Sequence, residues 1–227
     1  MAIVDADVAA RAGWTFTNLA AAYLSGGATL LQLRAKTASS AWLLDTATAI
    51  VTLAHQANAI VIVNDRADIA RLSGADGVHV GQDDLAPATV RRIVDAGAAP
   101  ASPEASGGPG GSGAPGVPGV IVGLSTHTPE QLEAALHLPV SYIAIGPVFG
   151  TATKVTGHTS LGLEAVRRAA ARTSERGVPL VAIGGVTLDT APEVIRAGAT
   201  TVAVISDLVA GGDPAARVRA YLACLTV

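Results

Sequence analysis

The chain has 227 residues, half of them hydrophobic and 15 % charged, with a formal net charge of -3. So weak and acidic a balance argues against nucleic-acid binding through a basic surface. The single cysteine, Cys224, excludes an internal disulfide and gives no sign of a cysteine-based metal site.

The length suits one large domain, and α/β barrels reach this size as a single unit. The opening MAIVDADVAARAGW lacks a basic start, and Asp5, Asp7 and Arg11 interrupt any apolar run, so it does not read as a secretory signal. The stretch 46–64 has no formal charge and about the length of a membrane span. It carries His55, Gln56, Asn58 and Asn64, however, and divides into a helix and a strand. The expectation is a soluble, cytoplasmic protein.

Short β-rich runs alternate with helical stretches. Ala2–Val4 is a first short strand, with a helix around Thr17–Ser25. Ala28–Arg34 is the second strand, and Ser39 or Ser40 can N-cap a helix running to about Ala57. Ala59–Asn64 is the third, with a short helix near Ala67–Leu72. Gly77–Val80 is the fourth, with a helix from Pro87, a residue suited to a first helical turn, to about Ala96. Gly119–Gly123 is the fifth, with a helix over Pro129–Leu138, and Tyr142–Gly146 the sixth, with a helix over Leu163–Arg176. Pro179–Gly184 is the seventh, with a helix over Asp189–Ala197, and Thr201–Ile205 the eighth, with a last helix over Pro214–Leu225.

Near-continuous apolar strands separated by helices indicate a parallel sheet covered by helices. Eight such units are the number that closes a (β/α)8 TIM barrel. A doubly wound open sheet is the alternative. The recurring Gly-Ala just before strands, in SGGAT, LSGADGVHV and RAGATTVAV, favours the barrel. Residues 97–119 are almost entirely Gly, Ala, Pro and Ser, and they cannot bury enough apolar surface to fold alone. They read as a flexible insertion on the bottom face, away from the chemistry, within a single barrel domain spanning 1–227.

In a barrel the active site gathers at the C-terminal ends of the strands. Polar residues converge there. Gln32, Arg34 and Lys36 follow at two-residue spacing, which places them on one face. The next strand ends in Asn64, Asp65 and Arg66, and the fourth in His79, Gln82, Asp83 and Asp84. The fifth ends in Ser125, Thr126 and His127, and the loop after the sixth carries Thr151, Thr153 and Lys154. The seventh ends in Ile-Gly-Gly and the eighth in Ile-Ser-Asp. Arg34, Lys36 and Lys154 offer three cations, a match to a diphosphate. Asp65 and Asp84 offer two hard carboxylates from neighbouring strands, as Mg2+ uses beside phosphate oxygens and water. The glycines after strand seven and the Ile-Ser after strand eight suit a backbone-amide cradle for a second, single phosphate.

Other roles are open for several of these groups. Arg34 and Lys36 could pair with acidic neighbours rather than with a ligand. Asp65 could cap the helix that follows it. One of Asp83 and Asp84 could face solvent. His79, within strand four, could be a buried hydrogen-bonded histidine or a substrate contact, whereas His55, His137 and His158 read as surface residues.

Taken together, QLRAK, VNDRADIA, GADGVHVGQDD, GLSTHT, YIAIGPVFGTATK, VAIGGVT and VAVIS resemble, in order, the thiamine phosphate synthase family. The resemblance covers about residues 28–206, interrupted by the Gly/Pro-rich insertion. It implies a (β/α)8 barrel that joins hydroxymethylpyrimidine diphosphate to a thiazole phosphate, typically carboxylated, releasing diphosphate and CO2. It further implies that Gln32, Arg34, Lys36, Asn64, Ser125 and Lys154 bind the pyrimidine diphosphate, with Arg34, Lys36, Ser125 and Lys154 the catalytic groups. Asp65 and Asp84 would hold Mg2+. Thr151 and Thr153 would contact the carboxylate region of the thiazole substrate, and Gly185, Ile205 and Ser206 its phosphate. Gly150 departs from the family pattern, which has Pro or Ala before Thr-x-Thr-Lys. The insertion is also unusual. Two rival readings are a related barrel that isomerises the thiazole phosphate, for which His127 is the residue to watch, and a non-catalytic phosphate-binding barrel. Neither explains the cations together with the carboxylate pair.

Overall fold

The computed structural model describes residues 1–95, 119–150 and 159–225. Eight parallel strands pair in chain order: β1 (Ala2–Asp5), β2 (Leu30–Arg34), β3 (Ile60–Asn64), β4 (Gly77–Val80), β5 (Ile121–Thr126), β6 (Tyr142–Ile145), β7 (Leu180–Ile183) and β8 (Thr201–Ala203). The ring closes where β8 meets β1. Ala2 bridges Val204 in parallel, Ile3 N donates to Val204 O at 2.9 Å, and Val204 N donates to Met1 O at 3.1 Å. This is the (β/α)8 barrel expected from the strand count.

Side chains alternate between two apolar layers, as the period of a strand requires. Ile3, Tyr142, Ala144, Val181 and Ala203 pack inside the barrel. Leu31, Leu33, Val61, Val63, Val78, Val122 and Ile143 face outward into the larger core beneath the helices. Both faces of each strand are covered, which is why the strands read as near-continuous apolar runs.

The helices begin where the sequence supplies a cap. Thr15 Oγ1 accepts from Asn18 N at the start of α2 (Phe16–Ser25), and Ser39 Oγ accepts from Trp42 N at the start of α3 (Ser40–Gln56). In α3 Leu43, Ala47, Ile50, Val51 and Ala54 form the buried stripe, at the spacing of one helical face. The helices α4 (Ala67–Ser73), α5 (Pro87–Asp95), α6 (Pro129–Ala135), α7 (Gly162–Ser174), α8 (Ala191–Arg196) and α9 (Pro214–Leu225) complete the outer layer.

Three differences from the expected elements bear on function. A short α1 (Ala6–Arg11) follows β1 directly, capped by Asp5 through Val8 N at 3.0 Å. Strand β5 runs to Thr126 rather than stopping at Gly123. Its polar end is strand because the Thr126 hydroxyl donates to Ala144 O at 3.0 Å and Ser125 lies in register with Ala144. Strand β8 is short, since Ile205 leaves it (φ -117°, ψ -87°) for a 3-10 turn over Ser206–Val209. The Gly/Pro-rich stretch, apart from Gly119 at its end, lies outside the described residues. Among the described residues no helix is long and apolar enough to cross a membrane.

Candidate active site

The C-terminal rim of the barrel collects those residues singled out in the sequence that the structure describes. Gln32, Asn64, His79 and Ser125 come from β2, β3, β4 and β5, with Asn64 in register with His79 and His79 with Gly123. Gln32 is buried near the Tyr142 phenol, whose ionisation burial pushes far up. The Tyr142 hydroxyl lies 2.8 Å from His79 Nδ1, and His79 Nε2 lies 2.7 Å from Ser125 Oγ. Tyr142, His79 and Ser125 thus form one polar chain rising to the rim. Of the two roles open for His79, the buried hydrogen-bonded one is realised here.

Tyr142 fits inside the barrel because residue 123 is glycine. A Cβ there would stand 2.1 Å from the tyrosine Cζ, far inside contact distance. His79 and Tyr142 also stack, with ring centroids 5.5 Å apart. The sequence alone offered no reason to select Tyr142, whose partners come from strands 19 and 63 residues away.

The two described cations, Arg34 and Lys36, are paired. Arg34 Nη1 donates to Asp5, a carboxylate only 2 % exposed at the end of β1. Asp5 and Arg34 are register partners on adjacent strands, so the pair is set by the sheet itself. Strand β1 extends one residue beyond the Ala2–Val4 expected from sequence, and that residue is Asp5. The strand-end rule applied to β1 would have found it.

Lys36 Nζ lies 3.1 Å from Asp65 Oδ2, with the lysine side chain still 45 % exposed. Asp65 does not cap α4, since Arg66 holds the cap position without a side-chain bond. It instead adopts φ 63°, an unusual value for a residue with a side chain. Its N–H donates to His79 O at 2.8 Å, tying the turn to the neighbouring strand. Strained backbone of this kind clusters at functional sites. Burial first, and then the adjacent Asp84 carboxylate, push Asp65 up from the ordinary carboxylate value, while Lys36 opposes the shift. Asp84 Oδ2 accepts from Gly81 N at 2.8 Å, which fixes it beside Asp65. Two hard oxygen donors crowded together, with Lys36 offsetting only part of their charge, suit a small divalent cation such as Mg2+. No group of three metal-ligating side chains occurs among the described residues. A Mg2+ ion needs only one or two when phosphate oxygens and water complete its shell.

Across the rim, Gly184 and Gly185 adopt φ 97° and 64°. A Cβ on Gly185 would meet Gly150 O at 2.5 Å, so this backbone can pass only as glycine. Phe149 N donates to Gly184 O at 2.9 Å, holding the loop after β7 against the loop after β6. Ile205 and Ser206 leave β8 alongside. These loops bring bare backbone to the place where a cradle for a single phosphate is expected from sequence. Thr151, Thr153, Lys154 and His158 lie outside the described residues. His55 is exposed, paired with Asp76 at 3.1 Å, and His137 is exposed too.

The family model described as Thiamine monophosphate synthase matches residues 1–99 and 116–208. The chain belongs to the thiamine-phosphate synthase family. It is 39 % identical over 226 residues to the Thiamine-phosphate synthase of Koribacter versatilis, covering 99 % of this chain and 94 % of that one. The Thiamine-phosphate synthase of Chlorobium luteolum is 37 % identical over 202 residues, covering 89 % of this chain and 84 % of that one. Among solved structures, thiamine phosphate pyrophosphorylase from Pyrococcus furiosus superposes with a TM-score of 0.79 at 25 % identity, over 98 % of this chain and 93 % of that one. A 3-hexulose-6-phosphate synthase superposes at 0.61 with 17 % identity, a likeness of fold alone.

Proposed function

We propose that this thiamine-phosphate synthase joins hydroxymethylpyrimidine diphosphate to a thiazole phosphate across the rim of its barrel. The protein is a transferase of thiamine biosynthesis acting on small molecules. The observation that carries the site reading is the grouping, at one end of the barrel, of Arg34 and Lys36 with the carboxylates Asp65 and Asp84, opposite a two-glycine loop.

In this reading Gln32 and Asn64 position the pyrimidine half, with Ser125 held by His79. Arg34 and Lys36 bind the diphosphate. Gly185, Ile205 and Ser206 hold the thiazole phosphate through backbone groups. Asp65 and Asp84 would hold Mg2+, which when bound would neutralise charge growing on the departing diphosphate.

The bond that breaks joins the pyrimidine methylene carbon to a diphosphate oxygen, and its electron pair leaves with the diphosphate. The aminopyrimidine ring can spread the positive charge left behind, so the bond can break before the new one forms. The lone pair of the thiazole nitrogen then forms the carbon–nitrogen bond. A carboxylated thiazole, once coupled, also loses CO2; the electron pair of the broken bond stays on the ring carbon, which then takes a proton from water. No covalent nucleophile is needed. Arg34 and Lys36 stabilise the leaving group's negative charge, and the fixed spacing of the two anion sites orients the partners.

The test is a coupling assay with both substrates, in Mg2+ or in EDTA. Thiamine phosphate formed only with Mg2+ supports the synthase and its carboxylate pair. Absence of product, with interconversion of thiazole tautomers, would favour the isomerase reading and sink this one.

A further inference from the structure

The two loops of the proposed thiazole-phosphate cradle share one anchor, the carboxylate of Asp207. Asp207 follows Ser206 in the 3-10 turn. Its Oδ2 accepts from Leu188 N at 3.1 Å, which belongs to the loop after β7, three residues beyond Gly185. The rest of the carboxylate is held from α9. Arg217 Nη2 donates to Oδ1 at 2.9 Å and to Oδ2 at 2.8 Å, and Arg217 Nε donates to Oδ2 at 3.2 Å. The Tyr221 hydroxyl donates to Oδ2 at 2.5 Å. Arg217 Nε also reaches the main-chain oxygen of Asp207 at 3.2 Å.

Two physical consequences follow. One carboxylate ties the turn after β8 to the loop after β7, so the spacing between their backbone amides is fixed through it. A naked carboxylate one residue from a phosphate site would repel the ligand. Arg217, in a forked pair whose side chains are only 28 % and 15 % exposed, cancels that charge. Neither residue belongs to the cation and carboxylate group on the other side of the rim.

We infer that Asp207 is a positioning residue for the phosphate cradle, and that Arg217 and Tyr221 on α9 hold it in place with its charge neutralised. This rests on the proposed thiazole-phosphate site. It predicts selectivity for one substrate, and a specific order of severity among variants that simple loss of packing would not give.

The experiment is steady-state kinetics with both substrates on Asp207→Ala, Asp207→Asn, Arg217→Ala and the Asp207→Ala/Arg217→Ala double variant, with melting curves for each. Gly185→Ala serves as a direct probe of the cradle. Asp207→Ala should raise KM for the thiazole phosphate about tenfold, as loss of the loop tether implies, with KM for the pyrimidine diphosphate within about twofold of the parent. Asp207→Asn keeps an acceptor for Leu188 N and should rise less. Arg217→Ala should be worse than Asp207→Ala, because it leaves the charge unpaired beside the phosphate, and its defect should shrink in high salt. The double variant should return to the level of Asp207→Ala.

Equal rises in both KM values, tracking the loss of Tm, would overturn the inference in favour of a general structural role. So would an Arg217→Ala no worse than Asp207→Ala. If Gly185→Ala raises thiazole-phosphate KM and the Asp207 variants do not, the anchor alone is wrong. If none of them moves it, the cradle assignment falls as well.

Discussion

Arg34 and Asp5 are register partners on adjacent strands, and the guanidinium donates into a carboxylate that solvent barely reaches. Asp5 also caps α1. An arginine pinned on one side by a buried carboxylate presents a fixed fork to anything bound above it. Arg34→Lys keeps the charge but lacks the planar fork. Its kcat/KM should fall about tenfold or more with little change in Tm. Asp5→Ala removes a cap and leaves a partly buried cation unpaired. It should cost about 3 kcal/mol, or about 6–12 °C in Tm. Asp5→Asn retains the cap and should lose less than half of that. Equal losses in Asp5→Ala and Asp5→Asn would mean that the cap contributes nothing.

Lys36 is paired with Asp65 but half exposed, so water screens the pair. Lys36→Ala should change stability by less than about 1 kcal/mol. Loss of a cation from the leaving-group site should lower kcat about 100-fold. A rate equal to the parent's, measured at saturating Mg2+, would remove Lys36 from the diphosphate site.

Asp65 sits above the ordinary carboxylate value of 3.8 through burial and the neighbouring Asp84. The folded state therefore binds this proton more tightly than the unfolded chain does. Metal-free stability should fall as pH rises from that ordinary value through the raised one. Asp84→Asn keeps an acceptor for Gly81 N and removes the repulsion. It should flatten this slope and raise Tm near pH 7 by about 1–2 °C. Activity should drop and the Mg2+ needed for half-maximal rate should rise. Mg2+ should also raise the parent's Tm more near pH 7 than near pH 5. An Asp84→Asn protein with unaltered Mg2+ dependence would move the metal role elsewhere.

Gly123 and Tyr142 occupy one space inside the barrel. Gly123→Ala should cost about 3 kcal/mol. Tyr142→Phe cannot relieve it, because ring carbons make the clash, and it also removes the hydroxyl at His79 Nδ1. Combining Gly123→Ala with Tyr142→Ala should be less destabilising than the sum of the two single variants. Additive losses in urea melts would show that the two side chains do not compete.

The barrel was legible in the sequence because both faces of its strands are apolar and its helices carry caps such as Ser39 and Thr15. The rim residues were legible because Gln32, Arg34, Asn64 and His79 end such runs. Groups defined by tertiary pairing were not. Tyr142 looks like any strand residue, since Gly123 and His79 are brought to it only by the pairing of β4, β5 and β6. Asp207 was visible at the end of β8, but nothing local linked it to Arg217, Tyr221 or Leu188. Strand β5 was cut short because Ser125 and Thr126 are polar, a sign of a loop almost everywhere except at the mouth of a barrel.

Closure by Ala2, Met1 and Val204 joins backbone about 200 residues apart in sequence. On the ribosome the outer edge of β1 has its parallel neighbour only after about 200 further residues have been made. Until then β1 carries an open row of amides and carbonyls beside the apolar Ile3 and Val4. Such an edge invites pairing with another nascent chain. Late synthesis of β8 therefore sets the interval in which this barrel is most exposed to misassembly.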